Sequence, residues 1–98
     1  MRRRVLFRAR AEADLLEARA WYDEQETGLG AQFVTAAEIT IDQIAETPLA
    51  FPRAKGETRR AILRRFPYAV YFRLHGEDVI ILAIVHGRRH PDHWRSRR

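Results

Sequence analysis

The chain has 98 residues, 46% apolar and 32% charged, with no cysteine and a net charge of +5. That length fits one domain, and the apolar share suits a packed core rather than a disordered polymer. Disulfides and thiolate metal sites are excluded, no apolar run approaches the roughly 18 residues that span a bilayer, and a cytoplasmic protein without membrane contact is expected.

The basic start Met1-Arg2-Arg3-Arg4 leads into only Val5-Leu6-Phe7, too short an apolar run for a signal peptide. Those three residues, flanked by arginines, read as a short first strand. From Ala9 the period changes. Ala11, Leu15, Ala18 and Tyr22 recur at helical spacing, which predicts a helix over 9–26 with Glu12, Glu17, Arg19 and Asp23 off the apolar line. Thr27-Gly28-Leu29-Gly30 stops it: Gly28 can take the left-handed conformation that closes a helix, and Gly30 lets the next begin at once. Phe33, Ala37, Ile41 and Ile44 mark a second helix over 31–46, ended by Pro48. So short a turn between two amphipathic helices predicts an antiparallel hairpin.

Residues 48–56, punctuated by Pro48, Pro52 and Gly56, read as an extended connection. Beyond it the period is two. Ala61 and Leu63 alternate with Arg60, Ile62 and Arg64, and Tyr68, Val70, Phe72 and Leu74 alternate with Ala69, Tyr71, Arg73 and His75. His75-Gly76-Glu77-Asp78 is a hairpin turn. Val79 to Val85 is apolar throughout, as befits a strand covered on both faces. The order strand, helix, helix, three strands predicts a single α+β domain over 1–98. In it a helical hairpin packs on one sheet face, and the last three strands form an antiparallel meander.

Charge is unevenly placed. Residues 1–52 hold six arginines against nine acids, a net −3, whereas residues 53–98 hold eleven arginines and one lysine against four acids, a net +8. Such asymmetry points to a polyanionic partner, either nucleic acid or an acidic protein segment, with solubility alone as the plain alternative. The candidate contacts are Arg59, Arg60, Arg64, Arg65, Arg88 and Arg89, because guanidinium pairs bidentately with phosphate or carboxylate. In a meander, the strand ending at Arg64 and Arg65 and the strand ending at Arg88 and Arg89 finish at the same end of the sheet. Alternatively these are solvated edge residues that discourage strand aggregation.

His86, His90 and His93 with Asp92 have metal-like spacing. Pro91 breaks any helix through them and the surrounding arginines repel a cation, so no metal and no cofactor is expected. His86 or His90 can instead move a proton, the ordinary imidazole pKa lying near neutrality, or simply cap a buried strand. Tyr71, on the opposite strand face from Tyr68, is expected to be partly exposed. Trp94 can stack on a base, anchor a peptide or fold back over the core.

Several stretches taken together carry a family resemblance. Ala13-Asp14-Leu15-Leu16-Glu17, Trp21-Tyr22, Gly28-Leu29-Gly30-Ala31-Gln32-Phe33, Ile44 followed by Pro48 and Phe51-Pro52, Arg65-Phe66-Pro67-Tyr68-Ala69-Val70-Tyr71, and Ala83 through Pro91 with Trp94 resemble the RelE/ParE toxin superfamily. The resemblance covers nearly the whole chain in order, and the family's strand–helix–helix–strands order agrees with the one read from periodicity. It implies a toxin of a type II toxin–antitoxin pair, held inactive by a cognate antitoxin. ParE-like members poison DNA gyrase; RelE-like members cut mRNA on the ribosome without metal. By local alignment Arg64 and Arg88 fall where RelE-like toxins keep phosphate-binding arginines, and Trp94 where they keep a C-terminal tyrosine. An indole cannot transfer a proton as a phenol can, and Lys55 is the only lysine in the chain.

The resemblance therefore leans toward a gyrase inhibitor, with Arg60, Arg64, Arg65, Tyr71, Arg88, Arg89 and Trp94 as partner contacts. The alternative is a ribosome-dependent endonuclease with Arg64 and Arg88 on the phosphate and His86 or His90 moving the proton. A nucleic-acid-binding module without toxin role is the third reading. The antitoxin is expected to offer an acidic, apolar segment that folds across the sheet and the helical hairpin.

Overall fold

A computed structural model describes residues 2–87. These form β1 (Val5–Phe7), α1 (Ala9–Gln25), α2 (Leu29–Glu46), β2 (Arg53–Lys55), β3 (Thr58–Ile62), β4 (Tyr68–His75) and β5 (Asp78–His86), with one 3-10 turn at Pro48–Ala50. The helical hairpin and the final meander are as expected. The sheet, however, has five strands in the order β1-β5-β4-β3-β2 and is mixed rather than purely antiparallel, because β1 runs parallel to β5. The extra strand lies in the stretch expected to be a plain connection. Gly56 turns left-handed at φ 55°, which folds Arg53–Lys55 back onto β3.

The sheet period places Val70 and Phe72 of β4 with Val79, Ile81 and Ile84 of β5 on one face, where they meet Ala11, Ala18, Phe33, Ala37 and Ile44 of the helices. Phe33, Ile44, Phe72 and Ile81 are fully buried there. Fully burying one such side chain contributes about 1.5–3 kcal/mol, so this interface dominates the stability of so small a domain. The opposite face holds a second buried cluster of Ala69, Tyr71, Leu82, Ala83 and Val85.

β5 reaches both clusters by alternation, but which residues it sends to each is set by an irregular pairing with β4. Phe72 lies opposite Ile81 and Tyr71 opposite Ala83, so Leu82 is left without a partner. One surplus residue is a β-bulge, and it shifts the alternation of everything after it. Val79 and Ile81 face the helices before the bulge; Ile84 faces them after it, and so does His86, opposite Tyr68.

Three devices lock the hairpin and seat it on the sheet. Gly28 caps α1–α2 at φ 91°. At Gly30 an added Cβ would stand 2.5 Å from the Arg19 carbonyl oxygen and 2.7 Å from the Asp23 side chain, so the helices touch there backbone to backbone. Asp23 Oδ1 also accepts the Gly30 N–H at 2.8 Å, supplying an N-terminal amide of α2 with the partner the helix cannot. Farther along α1, Asp14 is buried, and its Oδ2 accepts the Ile84 N–H at 3.0 Å. The strand pairing of β1 with β5 stops at Phe7 and Ile81, so beyond that point a helix side chain serves the strand edge.

Candidate functional site

The β3–β4 turn carries Arg64 and Arg65. Arg65 stands at φ 72°, a left-handed backbone uncommon for a side chain of this size. Its Nη2 donates to Gln32 Oε1 of α2 at 3.1 Å, and its guanidinium lies 5.9 Å from the Phe66 ring centre. Arg64 is exposed and makes no ion pair among the described residues. Both arginines border a groove of about 500 Å³ against α2, floored by Ala36 and the half-exposed Ile39.

Ile62 pairs with Ala69 and Tyr68 pairs with His86, so the β3–β4 turn and the end of β5 lie at one end of the sheet, as the meander requires. The residues gathered there nevertheless divide. Arg64 and Arg65 border the α2 groove, whereas His86 lines a separate cleft under α1 with Asp14, Glu17, Trp21, Tyr22 and Tyr68. Burial first, and then the nearby Tyr68, push the Tyr22 hydroxyl above its ordinary pKa.

The sheet face away from the helices collects another set. Arg60 lies across from Tyr71, Arg73 across from Ile80, and Ile62 across from Ala69, while Leu6 of β1 neighbours Ile80. Leu6 is 40% exposed and Ile62 60% exposed, with Arg60 also exposed, so apolar and cationic groups share this surface. Tyr71 is not partly exposed as expected. It is 3% exposed because Ala69, Ala83 and Val85 pack around it. Arg59 is turned to the helical side, where Nη1 donates to the Phe51 carbonyl at 2.6 Å.

The remaining candidates, Arg88, Arg89, His90, Asp92, His93 and Trp94, lie outside the described residues. Leu6, Ile39 and Arg73 were not singled out as functional by sequence, whereas Trp21 stood out as an aromatic of the first helix. Trp21 falls off the apolar line of Ala11, Leu15, Ala18 and Tyr22, which leaves a large aromatic side chain without a place in the core.

A family model for the ParE toxin of the type II toxin–antitoxin system parDE matches residues 5–91. The chain belongs to the ParE toxin family. Its fold is similar to that of the chromosomal ParDE toxin–antitoxin system from P. aeruginosa. The two superpose with a TM-score of 0.78 at 19% identity, covering 86% of this chain and 95% of the other. It is also similar to the RelBE2 toxin–antitoxin complex from Mycobacterium tuberculosis, with a TM-score of 0.63 at 20% identity over 88% of this chain and 99% of that one. No sequence among curated proteins matches the chain. Within the described residues of this ParE family member, no helix is long and apolar enough to cross a membrane, and no group of three His, Asp or Glu is placed to hold a metal ion.

Proposed function

We propose that this ParE family chain is a cytoplasmic toxin that inhibits DNA gyrase by protein contact and is neutralised by a cognate antitoxin. The observation that carries the reading is the separation of the polar groups. Metal-free cleavage of a phosphodiester needs a proton-transfer group and an anion-stabilising donor both within about 3 Å of one reacting phosphate. His86 turns into the cleft under α1, Arg64 and Arg65 border the groove on α2, and Arg60 faces the other side of the sheet. Among the described residues, groups spread in this way suit a broad contact with a macromolecular surface better than one reacting centre.

The antitoxin reading is supported by the two structural neighbours, both described as toxin–antitoxin assemblies. The surface offered to it is the open sheet face, where Leu6, Ile62 and Ile80 supply apolar area and Arg60 and Arg73 supply charge. An acidic, amphipathic segment that orders on binding is complementary to that surface.

Purified gyrase should stop supercoiling DNA when the toxin is added, and translating ribosomes should leave mRNA intact. Codon-dependent mRNA cleavage that Arg64→Ala abolishes, with gyrase unaffected, would establish the endonuclease instead. Harmless expression without an antitoxin gene would leave only a nucleic-acid-binding module.

A further inference from the structure

We propose that the cleft between α1 and the end of β5 is a receptor for an arginine side chain presented by a partner polypeptide. The cleft measures about 650 Å³, enough for one long side chain and the backbone that carries it. Glu17, Ala18 and Trp21 form its helical wall, since positions three and four apart share one face of a helix. Ala18 is the small residue that leaves the hollow. The other wall is Tyr68 and His86, with Tyr22 at the back. His86 stands here only because the bulge at Leu82 reverses the alternation of β5.

The lining is a chain of rings: Trp21 to Tyr22 at 5.0 Å between centres, Tyr22 to Tyr68 at 6.1 Å, and Tyr68 to His86 at 5.3 Å. Trp21 remains 52% exposed, so packing among the described residues does not account for it. The faces of such rings attract cations. One carboxylate is available to hold the charge. Asp14 is committed, with one oxygen accepting the Ile84 N–H and the other 3.4 Å from Arg10 Nε, whereas Glu17 is exposed and makes no ion pair among the described residues.

The local field has the same sign. α1 carries five acids against two arginines, in a chain whose overall charge is +5. No lysine or arginine among the described residues lines the cleft, which disfavours a phosphate-bearing ligand. Lysine offers a point charge and no planar face, while guanidinium stacks flat on an aromatic ring and still reaches a carboxylate with two parallel N–H donors. Arginine is therefore the ligand these walls discriminate for. The site lies on the helical side of the sheet, opposite the face proposed for the antitoxin, and does not depend on that assignment.

The test uses the full chain and the capped peptide acetyl-Gly-Arg-Gly-amide, with its citrulline counterpart as the neutral isostere. Binding is read from the indole N–H resonance of Trp21. The arginine peptide should saturate with a millimolar dissociation constant and bind at least about tenfold more tightly than the citrulline peptide. Glu17→Gln should remove that preference, while Glu24→Gln, outside the cleft, should preserve it. Trp21→Ala, which removes the indole reporter and is followed instead through the backbone amides of Ala18 and His86, should abolish binding; should that variant fail to fold by circular dichroism, the Glu17→Gln result decides alone. Equal affinity for the two peptides, indifference to Glu17→Gln, or no saturable shift at about 20 mM peptide would overturn the proposal.

Discussion

At the scale of single residues, the two glycines of the helical hairpin look alike in sequence but answer to different physics. Gly28 needs only its backbone angle, and a Cβ there would meet nothing within 4 Å; Gly30 needs the absence of a side chain, because α1 occupies that space. Gly28→Ala is expected to cost about 1–2 kcal/mol, the penalty for a left-handed residue with a Cβ. Gly30→Ala should cost about 1–3 kcal/mol by forcing the helices apart, and urea midpoints for the pair would show whether both are destabilised. The sequence announced a turn at Gly28 but not the close approach at Gly30, since contact between helices leaves no local pattern. Asp14 makes the same point. In sequence it is one polar residue on an amphipathic helix; in the fold it is 9% exposed and serves the amide of Ile84, seventy positions away. Asp14→Ala leaves that amide without its acceptor and should lower stability by about 2–3 kcal/mol in the same urea assay.

Among the elements, helices and long strands were legible because their own periodicity records burial. Pairing was not. Val5-Leu6-Phe7 says strand but not that its neighbour is β5, in parallel, and Arg53-Ala54-Lys55 is too short and too charged to show a period at all. The most consequential omission is in β5. A run of apolar residues from Val79 to Val85 looks the same in either register, so nothing in it announces that Leu82 is surplus or that His86 faces the helices. Removing one residue from a central strand ordinarily inverts every side chain after it. Deleting Leu82 should not, because the shortened strand pairs with β4 without a bulge and keeps Ile84 and His86 on the helical side. We expect that deletion to fold, with a loss of about 1–3 kcal/mol from forfeited apolar burial and a Tyr68–His86 ring contact still visible as a nuclear Overhauser effect. Deleting Ile84 instead, downstream of the bulge, should prevent folding, as judged by loss of the dispersed amide spectrum.

Over the whole molecule, charge divides the two ends of the sheet. At one end the N-terminal arginines are spent internally: Arg2 on Asp42 at 3.0 Å, Arg3 on Glu77 at 3.4 Å, and Arg4 on Asp78 at 2.8 Å. Hydrogen bonds from Arg4 hold the Asp78 carboxyl below its ordinary value of 3.8, with the charges of Arg4 and His75 adding to the effect and partial burial opposing it. A folded value below the unfolded one stabilises the protein above the ordinary carboxylate range, and that contribution disappears as pH falls through the depressed value. Asp78→Asn should accordingly be less stable than the parent at pH 7, and the difference in urea midpoints should close below pH 3.8. On the open face, by contrast, Arg60 and Arg73 form no ion pair among the described residues, so two of the positive charges of the second half stay unneutralised there. The charge count made the basic half legible, but only the strand register shows which of its arginines share a surface with Leu6 and Ile62. Exposed charges at the edge of an interface act chiefly on the rate of encounter and are screened by salt. Replacing Arg60 and Arg73 together by alanine should therefore slow association with the antitoxin about tenfold at low ionic strength and leave dissociation nearly unchanged. At about 1 M salt, where the screening length is near 3 Å, the variant and the parent should associate at the same rate. Stopped-flow mixing across a salt series measures both limits, and a deficit that persists at high salt would mean that these side chains contribute packing rather than steering.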